Sequence, residues 1–192
     1  MFKPETFRPT AEGLVEFARK ALVTPHVYLW DGNGEYLTDE VLDALAAEYP
    51  NWYTPERYGV RKALLNRGIR GWDCIGLIKS YVWHDYSQYH PEGYKEELDY
   101  CTRTLRADPN LFFGEMEDLP EIPGLVLWKQ GHVGVYEGNG FVLESTGSGP
   151  NGEEVPGRLG GVRRSRIEEK AWEKWLRFPG ILYPEQEKQA GA

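Results

Sequence analysis

The stretch Gly131-His132-Val133-Gly134-Val135-Tyr136-Glu137-Gly138-Asn139-Gly140-Phe141-Val142-Leu143-Glu144 decides the fold class. Two β-rich runs, His132 to Tyr136 and Phe141 to Glu144, flank Gly138-Asn139-Gly140, whose residues tolerate the positive φ angles of a tight hairpin turn. With the turn centred on Gly138, His132 and Glu144 stand equally far from it on facing strands and are expected to be cross-strand neighbours. Glu144 lies in an otherwise apolar run, where a lone carboxylate is costly without a partner. An imidazole that must be held in one tautomer is such a partner.

Outward from the hairpin, Gly124 to Trp128, Gly161 to Ile167 and Phe178 to Tyr183 are further expected strands. The N-terminal half has a different period. Thr10 can cap a helix that places Leu14, Phe17, Ala18, Ala21 and Leu22 on one face and stops before Pro25. His26 to Trp30 reads as a short extended piece running into the turn Asp31-Gly32-Asn33-Gly34, and Thr38 caps a second helix to about Ala47. Residues 49–71 are aromatic and basic and are broken by Pro50, Pro55, Gly59 and Gly68, which predicts a short helix from Pro55 among loops. Residues 49–71 read as an insertion. From Cys74, the apolar positions Ile75, Ile78, Tyr81 and Val82 predict a buried helix that Asp73 can cap. One more helix is expected from Pro91 to Leu105, followed by a loop holding Phe112 and Phe113. Helices first and antiparallel strands afterwards predict an α+β fold, a single domain over 1–184 with a disordered polar tail at 185–192.

At 192 residues the chain suits one domain with a sizeable core. Its net charge of −8 repels nucleic-acid phosphates and anionic membranes alike, so no nucleic-acid or membrane partner is expected, and a monomer is. The opening residues carry no apolar run of signal-peptide type, which predicts a soluble chain made in the cytoplasm. Cys74 and Cys101 are read as thiols, Cys101 as a buried helical residue. His26, His84 and His90 have no ligand neighbours at metal spacing, so neither a metal nor a cofactor is expected.

Cys74, at the first turn of a buried helix, faces unpaired N–H groups and the positive end of the helix dipole, which favour a thiolate that should react readily with iodoacetamide. The alternative is a small core residue. Gly76 permits close approach of another backbone, and a histidine follows far along the chain in a glycine-bracketed strand, as nucleophilic catalysis by cysteine requires.

Trp72-Asp73-Cys74-Ile75-Gly76-Leu77-Ile78 resembles the Asp-Cys-Ser-Gly-Leu-Val signature of the NlpC family of papain-like peptidoglycan peptidases. Pro123-Gly124-Leu125-Val126 and Gly131-His132-Val133-Gly134-Val135-Tyr136 resemble that family's Pro-Gly-Asp-Leu-Val and Gly-His-Val-Gly-Ile-Tyr segments, and Tyr28-Leu29-Trp30-Asp31-Gly32 resembles its Tyr-x-Trp-Gly-Gly stretch. The likeness spans about residues 10–183 and is greatest to versions from phage and prophage lysins. The family usually has serine where this chain has Ile75, glycine at Asp31 and aspartate at Leu125, and often histidine at Glu144; Tyr28 also lies far upstream of Cys74, so the resemblance implies that residues 33–71 are an insertion.

The resemblance implies a papain-like fold and a Cys74, His132 and Glu144 triad that cleaves amide bonds in the peptidoglycan stem peptide through an acyl-enzyme. Tyr28 and the Cys74 N–H would hold the oxyanion, with Asp73, Trp30 and Gly131 lining the substrate site. It also implies action on the wall after lysis or non-classical export. Two alternatives stand beside it: an acyltransferase with the same triad, and a catalytically silent wall-binding or phage-tail module in which Trp52, Tyr53 and Tyr58 meet glycan faces.

Overall fold

A computed structural model describes residues 7–83, 93–149, 153, 155 and 158–184. Local caps start the first helices. The Thr10 hydroxyl accepts the Gly13 N–H at 3.1 Å and opens α1 (Ala11–Val23), which buries Leu14, Val15, Ala18 and Ala21. Thr38 does the same for α2 (Asp39–Glu48), and Thr54 caps α3 (Pro55–Lys62), with its proline in the first turn. Between them run β1 (His26–Tyr28), β2 (Asn33–Tyr36) and β3 (Arg70–Trp72), in the order β1-β3-β2.

Both ends of the insertion thus become strands: β2 leaves it antiparallel to β3, and β3 returns beside β1 in parallel. This differs from the turn at 31–34 and the loops up to residue 71 that the sequence predicts. The pairing sets Tyr28 opposite Trp72, so a tyrosine remote in sequence sits beside the segment leading to Cys74. Leu37, Val41, Leu42, Leu45 and Tyr53 of segment 33–71 pack on Val27 and Leu29, which precede it, as a second, smaller core.

The main core lies between two helices, α1 and α4 (Gly76–Trp83), and a six-stranded antiparallel sheet. That sheet comprises β4 (Phe113–Glu115), β5 (Val126–Lys129), β6 (His132–Gly138), β7 (Phe141–Thr146), β8 (Gly161–Arg166) and β9 (Lys174–Leu176), ordered β4-β9-β5-β6-β7-β8. Among the described residues the chain is α+β, with five α-helices, the fifth being α5 (Thr102–Ala107). No described helix is long and apolar enough to cross a membrane.

Three expectations are corrected. The helix foreseen from Pro91 to Leu105 is, where described, a 3-10 turn at Glu96–Leu98 and then α5, with Pro91 outside the described residues. Phe178 to Tyr183 is no strand beyond one bridge between Thr10 and Leu182; its apolar residues are core packing, with Phe178, Ile181 and Tyr183 buried. Phe113 belongs to an edge strand, β4, rather than a loop. His84, His90 and the 185–192 tail lie outside the described residues, as does much of the glycine-rich segment 147–161.

Glu35 of β2 is 1% exposed, with Oε2 accepting the Asn33 N–H at 2.7 Å and Oε1 unpartnered. Burial, then the nearby negative Asp31 and Asp73, push its carboxyl up to about 8. The folded state therefore holds a proton that an unfolded glutamate, with a pKa of about 4.3, has lost. Its contribution is intact below that value and disappears as pH rises through the folded pKa. Glu35→Gln should remove this alkaline loss, so that its stability relative to the parent rises by about 4 kcal/mol from pH 5 to pH 9. Urea melts at both pH values check it; an unchanged pH slope in the variant refutes it.

Candidate active site

Cys74 is held by the backbone around it. The Asp73 carboxylate accepts the Gly76 N–H at 2.5 Å and its carbonyl the Leu77 N–H at 3.2 Å, so Asp73 caps α4 and Cys74 is the first residue of the turn. A side chain at Gly76 would overlap the Gly32 carbonyl, which itself accepts the Asp73 N–H at 2.9 Å. Gly76 thus lets the 29–32 turn close over the cysteine. The preceding carbonyl, of Trp72, is fixed by the Ser145 hydroxyl of β7 at 2.7 Å and the Leu29 N–H at 3.2 Å.

The Cys74 thiol is 6% exposed and lies against the Val133 N–H, one residue from His132 on β6. It has no hydrogen bond to the imidazole. Burial, and then the adjacent Asp73 charge, push the thiol up to about 12, overriding the amides of Val133, Ile75 and Cys74 itself. Asp73 is raised too, to about 6, through its own burial. The expected resting thiolate is therefore corrected: the helix terminus helps, but desolvation and a neighbouring acid outweigh it.

His132 Nε2 meets Glu144 Oε2 at 2.5 Å, and the Trp172 indole stacks on the ring at 5.5 Å and 22°. If Nε2–H donates to the carboxylate, the lone pair of Nδ1 is free to receive a proton, and Nδ1 has no hydrogen-bond partner among the described residues. Burial lowers the imidazole pKa, with Glu144 opposing and Lys170 adding to the depression.

The hairpin turn centres on Asn139-Gly140 rather than Gly138, with pairs Val135 to Leu143 and Tyr136 to Val142 and an irregularity at Glu137. Extended along β6, that register sets His132 diagonal to Glu144 rather than opposite it. Gly134 then matters, because a side chain there would strike Val142 and Trp172 and crowd the Glu144 Cβ. Its bareness leaves the space over which the carboxylate reaches the imidazole.

Glu144 is fully buried and fully engaged. Oε2 takes His132 and, at 2.8 Å, the Lys170 ammonium; Oε1 takes the Ser165 hydroxyl at 2.7 Å and Arg163 Nε at 3.2 Å. Burial alone would raise its carboxyl, yet the His132 hydrogen bond and the Lys170 charge hold it at about 2. Lys170, Arg163, Ser165 and Trp172 are absent from the sequence-derived site. Arg163 and Ser165 carried a faint signal, alternating along a predicted strand that could face the lone glutamate.

Tyr28, Trp30 and Gly131 line two adjoining hollows, one shared with Cys74 and Asp73 and the other with His132 and Thr146. They are the lining that the hollow of the sulfur and that of the imidazole have in common. Asp31, where the resembled family has glycine, has φ 63°, and its carboxylate accepts the Tyr49 hydroxyl of the insertion at 3.0 Å. Tyr53 donates to the Trp30 carbonyl at 2.9 Å, and Arg61 Nε and Nη2 donate to the Tyr28 carbonyl at 3.1 and 2.9 Å. Segment 33–71 thus braces residues 28–31. Tyr53 is buried, whereas Trp52, packed by Trp30, Tyr28, Arg57 and Arg61, is half-buried and lines the hollow of His132.

Cys101 is exposed, not buried, and it caps α5, its sulfur accepting the Thr104 N–H at 3.4 Å. Burial works against its thiolate, but the Thr104 hydroxyl and amide bring it below the ordinary thiol value. Iodoacetamide at pH 7 should therefore label Cys101 at least about 100-fold faster than Cys74, since the thiolate is the nucleophile. Peptide mapping over time decides the order. Faster labelling at Cys74 would mean a resting thiolate.

Among the described residues no group of three or more His, Cys, Asp and Glu side chains is placed to hold a metal ion. No family model matches the chain, and no curated protein matches its sequence.

Proposed function

We propose that this chain is a papain-like cysteine hydrolase of NlpC type that cleaves amide bonds in the peptide part of bacterial peptidoglycan. The observation that carries the reading is the 2.5 Å contact of His132 with a buried Glu144, on the strand whose Val133 N–H meets the Cys74 thiol. A helix-borne cysteine packed on an antiparallel sheet that carries a histidine and its acid supports the papain-like assignment.

The reaction starts from a neutral thiol and a neutral imidazole. As Sγ attacks the amide carbonyl, His132 Nδ1 takes the thiol proton, and Glu144 stabilises the imidazolium. The imidazolium then protonates the leaving amine, and water, activated by the same nitrogen, releases the acyl group. The Cys74 N–H and Tyr28 flank the position of the oxyanion. Catalytic hydrogen bonds commonly tighten only around substrate, which accommodates a thiol resting on Val133.

Purified peptidoglycan of several cross-link chemistries, incubated with the protein, should release new free amines, with muropeptide masses identifying the bond cut. Failure to release amines from any of them would overturn the proposal and favour a silent wall-binding module.

A further inference from the structure

The least expected group at this site is a buried cation. The Lys170 side chain is 2% exposed and lies 2.8 Å from Glu144 Oε2, 3.3 Å from His132 Nε2 and 3.2 Å from Thr146 Oγ1. Burying an ammonium is costly unless it is paired, and a second cation, Arg163, already serves the other oxygen of the same carboxylate. Lys170 thus competes with the imidazole for one carboxylate oxygen. A protonated His132 would share that oxygen with a positive charge 3.3 Å away, whereas a neutral imidazole donating Nε2–H shares it without repulsion.

We propose that Lys170 is a positioning residue of the triad: sharing Glu144 Oε2 with His132, its ammonium keeps the carboxylate aimed at the imidazole and keeps the resting imidazole uncharged. The charges that face the ring come from several elements. Glu144 on β7 favours the imidazolium, while Lys170 and Lys129 on β5 oppose it; Arg163 on β8 binds the other oxygen of Glu144, the Cys74 thiol is neutral, and Glu153 lines the same hollow as the imidazole. Burial and Lys170 both depress the imidazole, and Glu144 alone raises it. The consequence is functional: a base that is neutral at pH 7 can accept the thiol proton, which an imidazolium cannot.

The inference rests on His132 as the base, but its test needs no substrate. NMR titration of the His132 ring, assigned by its disappearance in His132→Gln, should give a midpoint below the ordinary histidine value of about 6.5 in the parent protein. In Lys170→Met the midpoint should rise by half a pH unit or more, and Lys170→Arg should restore it towards the parent. Where amine release is measurable, the acid limb of kcat/KM should move with the titration, a shift that mere loosening of the fold would not produce. A parent midpoint above 6.5 overturns the proposal even if no variant folds, as does a rise below half a unit in folded Lys170→Met. A protein that releases no amines while showing the expected titration would refute the hydrolase reading alone.

Discussion

Cys74→Ala protein is expected to fold as the parent does and to release amines from peptidoglycan at least about 10⁴-fold more slowly. The two effects separate because only one atom is lost from the core. Cys74 belongs to the main core where it borders the groove, so removing its sulfur should cost about 1–2 kcal/mol, too little to unfold the domain. No other nucleophile takes its place. Cys101 lines the same hollow but caps a different helix, and its sulfur is held by Thr104 rather than lying against Val133, the neighbour of His132, as that of Cys74 does. Cys74→Ser tests the general-base reading, since a hydroxyl is harder to deprotonate and needs the full help of His132. Residual release should then be small and lost again in Cys74→Ser with His132→Ala. Parental rates from Cys74→Ala at equal melting temperature would remove this cysteine from the chemistry.

What was legible in the sequence was local. Thr10, Thr38 and Pro55 located three helix starts because caps and first-turn prolines act within four residues. Asn139-Gly140 announced the hairpin for the same reason. The register was not legible, since the irregularity at Glu137 adds a residue that no turn rule foresees; the Glu137 side chain is drawn to Arg19 at 2.7 Å and to Arg164, partners from α1 and β8. Strands β4 and β9 have three residues each, too few to show a period. Lys170 hid in the run Glu168-Glu169-Lys170, which looks like solvated surface. Only the fold turns that lysine inward. Likewise the Cys74 thiol could be placed at a helix start from sequence, but its desolvation depends on how the 29–32 turn and β6 close over it.

Glu144→Leu should be the most destabilising single change at the site, because it leaves Lys170 and Arg163 without the anion they share. Breaking one side of a buried ion pair costs about 3–5 kcal/mol, enough to bring a domain of ordinary stability close to unfolding at 37 °C. Glu144→Gln separates charge from shape. The amide oxygen can still accept from Ser165 or Lys170, so about 2–4 kcal/mol is expected, but an amide holds the imidazole tautomer poorly and amine release should fall about 10²- to 10⁴-fold. The pH dependence fixes the cause. The folded carboxyl sits at about 2, below an unfolded glutamate at about 4.3, so its stabilisation is complete above the higher value and disappears as pH falls towards the lower. Parent and Glu144→Gln stabilities should therefore converge between pH 4.5 and 2 while remaining apart at pH 7. Parallel denaturation curves across that range would mean that Glu144 acts by packing, and that the two cations find their counter-charge elsewhere.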